Sequence, residues 1–156
     1  MTIEELQAQF CNKEIAQIAP MLQSTDSAKT IQLNGLTGSS YPLLATKLIG
    51  NPSSTQLFVL SNRERAAYFY NDLEKLLDDH NTPLPYKKVH YLPSSYKRAH
   101  TAEEIDKSNA KLRSEIVNKI STHPEGNYII VTYPEALAEK VAKAEQVEEH
   151  ILHLHK

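Results

Sequence analysis

Four short apolar runs, separated by stretches with helical periodicity, restrict the fold of this chain more than any other feature. Residues 29–33, Lys-Thr-Ile-Gln-Leu, read as a short strand leading into a glycine turn. Residues 56–60, Gln-Leu-Phe-Val-Leu, form a compact run consistent with a strand buried on both faces. Residues 88–92 give a third strand, stopped by Pro93, and residues 128–132 a fourth. Helical segments lie between them. Residues 42–49 carry Leu43, Leu44 and Leu48, with Gly50 as a stop. Residues 63 to about 79 carry Ala66, Phe69, Tyr70, Leu73, Leu76 and Leu77, with Ser61 or Asn62 as the cap. Residues 105–120 carry Ile105, Leu112, Ile116, Val117 and Ile120, and Pro134 opens a last helix with Ala136, Leu137 and Val141. Residues 94–103 read as a loop. Strands alternating with helices predict an α/β fold with a parallel sheet covered on both faces.

The turn after the first run has its own chemistry. Gly35-Leu36-Thr37-Gly38-Ser39-Ser40-Tyr41-Pro42 occupies the frame of a phosphate-binding loop, G-x-x-x-x-G-K-[ST], with its last three positions changed. Ser40 stands for the second glycine, Tyr41 for the lysine and Pro42 for the Ser/Thr. Tyr41 brings no positive charge to the terminal phosphates, and Pro42 has neither a hydroxyl for magnesium nor an N–H for phosphate. Pro42 still suits the start of a helix, where its missing N–H would be unpaired anyway. The strand–loop–helix shape is therefore expected to persist without nucleotide chemistry, at the carboxyl edge of the sheet. A Gly/Ser-rich turn before any helix would have the same appearance. No apolar strand ends in Asp, so the magnesium-holding acid of a nucleotide motor is missing as well.

Composition removes several classes. The chain has 156 residues, enough for one domain and the start of another, and its net charge of −2 sets up no basic field for nucleic acid. Cys11 is the single cysteine, so neither an intrachain disulfide nor a four-thiolate zinc site is available. Its apolar neighbourhood reads as packing. No apolar run approaches a membrane span, and Met1-Thr2-Ile3-Glu4-Glu5 is acidic and amphipathic, unlike a signal peptide. A cytoplasmic location without membrane partners is expected. Ile3, Leu6, Phe10, Ile15, Ile18 and Leu22 suggest an N-terminal helical segment over residues 1–27, followed by an α/β domain over 28–143. Residues 144–156 partly alternate and read as the first strand of a further domain. Within them His153 and His155 would share one face of a strand, but with no ligand cluster nearby in the sequence no metal site is expected.

Four segments together resemble the N-terminal region of bacterial transcription-repair coupling factors, the Mfd family, a region itself related to the excision-repair protein UvrB. The first is Leu33-Asn34-Gly35-Leu36-Thr37-Gly38-Ser39-Ser40, similar to the family's altered loop. The second is Phe58-Val59-Leu60-Ser61-Asn62-Arg63-Glu64-Arg65-Ala66-Ala67, followed by Tyr68-Phe69-Tyr70 and Asp72-Leu73. The third is Val89-His90-Tyr91-Leu92-Pro93, with Leu112-Arg113 at a distance. The fourth is Ile129-Ile130-Val131-Thr132-Tyr133-Pro134-Glu135-Ala136-Leu137. The resemblance implies a RecA-like, helicase-type sheet with a degenerate nucleotide site, corresponding to domain 1A of the UvrB-like module. It implies a catalytically inert fragment without a cofactor, in a protein whose ATP- and magnesium-dependent DNA translocase lies downstream. The implied partners are UvrA, held mainly by the neighbouring domain that residues 144–156 would begin, other domains of the same protein, and DNA and RNA polymerase in the whole protein. The implied process is transcription-coupled nucleotide-excision repair.

Other residues invite rival readings. Tyr86, Lys87, Lys88 and Tyr91, and Tyr96, Lys97, Arg98 and His100, mix aromatic and basic side chains as single-stranded DNA binders do. Tyr96, Lys97 and Arg98 are the candidate DNA contacts, against a plain reading as solvated loops with packing tyrosines. Arg63 and Arg65 read as surface charges on a helix, and Asp78-Asp79 as a solvated helix end. The alternatives to an inert scaffold are a nucleic-acid-binding module and a P-loop ATPase with an unusual loop.

Overall fold

The computed structural model describes residues 5, 15–18, 20, 30–49, 55–83, 86–98 and 101–141, with backbone alone at 97, 98 and 101–104. Its elements are α1 (Ser40–Leu48), β1 (Gln56–Val59), α2 (Arg63–Leu76), β2 (Val89–Tyr91), β3 (Tyr96–Arg98), β4 (Thr101–Ile105), α3 (Lys107–Thr122), β5 (Ile129–Thr132) and α4 (Pro134–Ala138). The fold is α/β. β1, β5 and β2 form a three-stranded parallel sheet in that order, and β3 and β4 form a separate antiparallel pair. Cys11, His150, His153, His155 and the stretch 144–156 lie outside the described residues.

β5 is the centre. Phe58 and Tyr91 both register on Val131, and Gln56 and Val89 both register on Ile129. All four residues of β5 are buried, because strands flank it and layers cover both of its faces. On one face Val89, Ile129 and Val131 meet Ala66, Phe69 and Leu73 of α2 and Ala45 of α1. Phe58 packs on Phe69 with ring centroids 5.2 Å apart. Burying one side chain of this size contributes about 1.5–3 kcal/mol. On the other face α3 lies over the β2 side, where Lys119 Nζ approaches His90 Nε2 at 3.2 Å.

Two of the described helices, α2 and α3, begin where the sequence supplies side-chain caps. The Asn62 side chain accepts the Arg65 N–H at 2.9 Å, with Glu64 in the first turn of α2 and Lys75 in its last. Asp106 accepts the Ser108 and Asn109 N–H groups at 3.1 Å and starts α3. Residues 15–18 are helical and Ile15 is buried, as the apolar spacing there predicts.

Several expectations need correction. Residues 30–33 are not a strand: they pair with nothing among the described residues, and extended backbone becomes a strand only when a neighbour takes up its hydrogen bonds. β1 is not buried on both faces: Leu57 is 53% and Val59 48% exposed, because α3 does not reach their side of the sheet. The expected loop at 94–103 contains the β3–β4 hairpin, with Tyr96 opposite Ile105 and Arg98 opposite Thr101. Its second strand, Thr-Ala-Glu-Glu-Ile, carries little β signal, and Ile105 is an exposed strand residue instead of the first apolar position of α3. α1 begins at Ser40, two residues before Pro42. α4 stops at Ala138, short of Val141, because Glu139 turns into extended backbone and binds elsewhere.

Asp79 is the clearest misreading. Asp78 is exposed and takes the left-handed conformation that ends α2, with φ +53°, but Asp79 is buried. One Asp79 carboxylate oxygen accepts the N–H groups of Lys88 at 3.0 Å and Val89 at 2.8 Å, which fixes the start of β2. Among the described residues no helix is long and apolar enough to cross a membrane.

Asp79→Ala leaves both of those amides without their acceptor and is expected to destabilise the fold by about 1–3 kcal/mol in chemical denaturation. Asp78→Asn is expected to stay within about 0.5 kcal/mol of the natural chain. Equal losses from the two would show that Asp79 does not anchor β2.

Candidate functional site

The altered loop keeps its two glycines in the conformations that need them. Gly35 has φ +85° and Gly38 φ +52°, both in the left-handed region where a side chain is costly. Ser40, in the position of the second glycine of a working loop, is already helical and needs no such freedom. Its hydroxyl donates to the Thr37 carbonyl at 2.7 Å and accepts the Thr37 N–H at 2.8 Å, so both of its usual roles are taken within its own turn. Ser39 precedes the helix without a side-chain capping bond. Tyr41 stands in the first turn, 45% exposed, and Pro42 is buried there. The site of a phosphate-binding lysine is thus a phenol at the surface. The loop also lacks its expected setting, because residues 30–33 lead into it without joining the sheet.

The carboxyl edge of the sheet carries a polar cluster that the sequence did not single out. Arg113, on α3, donates from its terminal nitrogens to the Pro93 carbonyl at 3.0 Å and the Glu139 carbonyl at 3.1 Å. Its Nε lies 3.3 Å from the Glu139 carboxylate. The other carboxylate oxygen accepts the Ser94 hydroxyl at 3.0 Å and the Ser95 N–H at 2.8 Å. The Tyr133 hydroxyl accepts the Ser94 N–H at 2.9 Å. Burial alone would raise the Glu139 pKa, but the hydrogen bonds from Ser95 and Ser94 and the Arg113 charge outweigh it and hold the carboxyl below its ordinary range. One saturated ion pair therefore joins the loop after β2, the helix α3 and the end of α4. Both partners are fully engaged, which suits a clasp and leaves little for a substrate. The sequence signal was faint: an arginine inside a helical apolar pattern and a glutamate just past a short helix.

Beside it, Tyr91 lies between Tyr70 and Tyr133, with centroids 5.5 and 6.4 Å away. Burial pushes the phenols of Tyr70 and Tyr91 up to about 12, so both are neutral donors at any physiological pH. Arg63 is half exposed and 3.7 Å from Asp106. Lys87 pairs with Glu74 and sits 5.5 Å over the Tyr70 ring, while Tyr70 donates to Glu74 at 2.5 Å. Burial opposes the Lys87 charge, yet the hydrogen bonds and charges of Glu74 and Tyr70 hold its pKa above the usual lysine value. Lys87 and Tyr91 are thus internal, and of that basic–aromatic group only Tyr86 and Lys88 face solvent. Tyr96, Lys97 and Arg98 stand together on β3, separate from the Gly35 loop in the fold's order of elements.

On the opposite edge, His90 is almost fully buried, edge-on to the Tyr128 ring at 5.8 Å. Burial, reinforced by the Lys119 charge, lowers its pKa from 6.5 to about 4. Lys119 also donates to the Lys87 carbonyl at 2.9 Å. Among the described residues no group of three or more His, Cys, Asp or Glu side chains is placed to hold a metal ion.

No family model matches the chain, and no curated protein and no solved structure gives a significant match.

Between pH 6.5 and about 4 the unfolded chain binds a proton at residue 90 that the folded chain does not. Stability is therefore expected to fall as pH drops through that window and to stop falling, on this account, below it. His90→Gln should flatten the dependence of Tm on pH there, and an unchanged slope would refute the assignment. Glu139 acts lower: its contribution is complete above its ordinary value of 4.5 and disappears as pH falls through the depressed folded value. Glu139→Gln should accordingly be less stable than the natural chain at neutral pH, with the gap closing in acid.

Proposed function

We propose that this chain is a catalytically inert, UvrB-like domain of a transcription-repair coupling factor, built on a RecA-like sheet with a degenerate nucleotide site. Its role is to scaffold: it supports a neighbouring domain that recruits UvrA, and it packs against the machinery that regulates a downstream DNA translocase. The supporting observation is the Gly35–Pro42 turn. Gly35 and Gly38 hold left-handed backbone as a phosphate loop would, but the turn has no cation, Pro42 supplies neither hydroxyl nor N–H, and the Ser40 hydroxyl is committed to Thr37. A parallel sheet flanked by helices is compatible with the same reading. The saturated Arg113–Glu139 clasp also fits a structural role, since it fixes the chain just before the stretch that would enter the neighbouring domain.

Calorimetry with ATP and magnesium tests the proposal. The natural chain is expected to show no binding, whereas Ser40→Gly, Tyr41→Lys and Pro42→Thr combined should gain measurable affinity by restoring the missing glycine, charge and hydroxyl. Binding by the natural chain tighter than about 100 μM, equivalent to more than about 5 kcal/mol, would overturn the inert reading in favour of a nucleotide-dependent enzyme or switch.

A further inference from the structure

Asn34-Gly35 is the one Asn-Gly pair in the chain. The backbone nitrogen after an asparagine can attack its side-chain amide carbon and close a small ring. This needs an approach that no side chain crowds, an N–H that is not held in a hydrogen bond, and an amide open to water. Residue 35 meets the first condition by necessity. Its φ of +85° calls for glycine, and glycine has no Cβ. A Cβ placed there would have nothing within 4 Å, so no neighbour crowds the site either. Asn34 and Gly35 are both exposed and lie outside helix and strand. Among the described residues the Gly35 N–H has no acceptor. The Asn34 side chain has one hydrogen bond there, from Gln32 Nε2 to its Oδ1, and at 3.5 Å that bond is long. It draws electrons toward the oxygen and leaves Nδ2, the nitrogen that must depart, unbound.

Every other described asparagine fails at least one of these conditions. Asn71, Asn109 and Asn118 lie inside helices, where the following N–H groups are bonded, as Ala110 is to the Asp106 carbonyl at 2.8 Å. Thr82, after Asn81, donates to the Asp79 carbonyl at 3.2 Å, and Tyr128, after Asn127, to the Thr55 hydroxyl at 3.4 Å. The Asn62 Oδ1 is committed to capping α2. Each of these asparagines is also followed by a residue with a Cβ.

We propose that Asn34 is a self-modification site, converted without an enzyme to aspartate and isoaspartate. The Gly35 nitrogen gives its proton to hydroxide and bonds to Asn34 Cγ. The Cγ–Nδ2 bond breaks, and Nδ2 leaves as ammonia with a proton from water, which returns the hydroxide. Water then opens the cyclic imide. Addition at Cγ gives aspartate. Addition at the main-chain carbonyl gives isoaspartate, in which the backbone runs through the side chain and is one carbon longer. Either product puts a negative charge immediately before the Gly35 turn, opposite in sign to the charge a phosphate loop supplies. The site stands on the unbonded Gly35 N–H and is independent of the coupling-factor reading.

The test incubates the full folded chain in mildly alkaline buffer, with circular dichroism to verify that it stays native. Trypsin then releases the peptide Thr30–Lys47. Mass spectrometry reads conversion of amide to acid, and electron-transfer fragmentation separates isoaspartate from aspartate. A synthetic peptide of the same residues supplies the unprotected rate. A segment that costs no free energy to open reacts as its peptide does, so the folded chain is expected to convert within about threefold of the peptide rate. Both acids are expected at residue 34, with a rate that rises with pH, and no other asparagine is expected to convert as fast. Conversion in the folded chain at least about tenfold slower than in the peptide would overturn the proposal, since the fold would then protect Asn34. Faster conversion at another asparagine, or aspartate without isoaspartate, would overturn it as well, the latter because it means hydrolysis without the imide.

Discussion

The hydrogen bonding of β5 to strands on both sides is the constraint from which the rest of this structure follows. A central parallel strand must be apolar on both faces, and Ile129-Ile130-Val131-Thr132 satisfies that with no residue exposed. Its two faces then need cover, which α2 with α1 supplies on one side and α3 on the other. β1 and β2 can be less uniform because each is held by β5. That tolerance admits a buried histidine in β2 and an exposed pair of apolar residues in β1.

Polar groups do the positioning at the two ends of the sheet. At the amino edge Asp79 receives the first amides of β2, and Lys119 bridges α3 to the same strand. At the carboxyl edge Arg113 and Glu139 tie three connections together. Asp79 and Arg113 are buried and Lys119 and Glu139 partly so, and each is hydrogen-bonded, the condition under which a buried charge is tolerated. A buried polar group that is fully satisfied sets geometry.

Much of the fold was legible in the residues. The runs at 56–60, 88–92 and 128–132 became strands within a residue or two, and the caps at Asn62 and the proline start of α4 follow from local chemistry. The run at 29–33 failed because strand formation depends on a neighbour, and propensity carries no information about whether one is present. The β3–β4 hairpin was missed for the converse reason: its residues have weak β preference and are held by pairing with each other. In the candidate site, the glycine conformations follow from residue type. The engagement of Ser40 with Thr37, and of Arg113 with Glu139 across 26 positions, does not.

By itself the sequence determined the class of the fold, the absence of a cation in the phosphate-loop frame, and the capped start of α2. These depend on residue type, on periodicity and on contacts within a turn of the chain. The tertiary structure alone decided which charges are internal, since Asp79, Lys87 and Arg113 look like surface residues until distant segments close around them. It also decided that β1 is an edge among the described residues. The order of strands in a sheet is fixed by which crossovers bury the most apolar surface together, and no local pattern in Gln-Leu-Phe-Val encodes that.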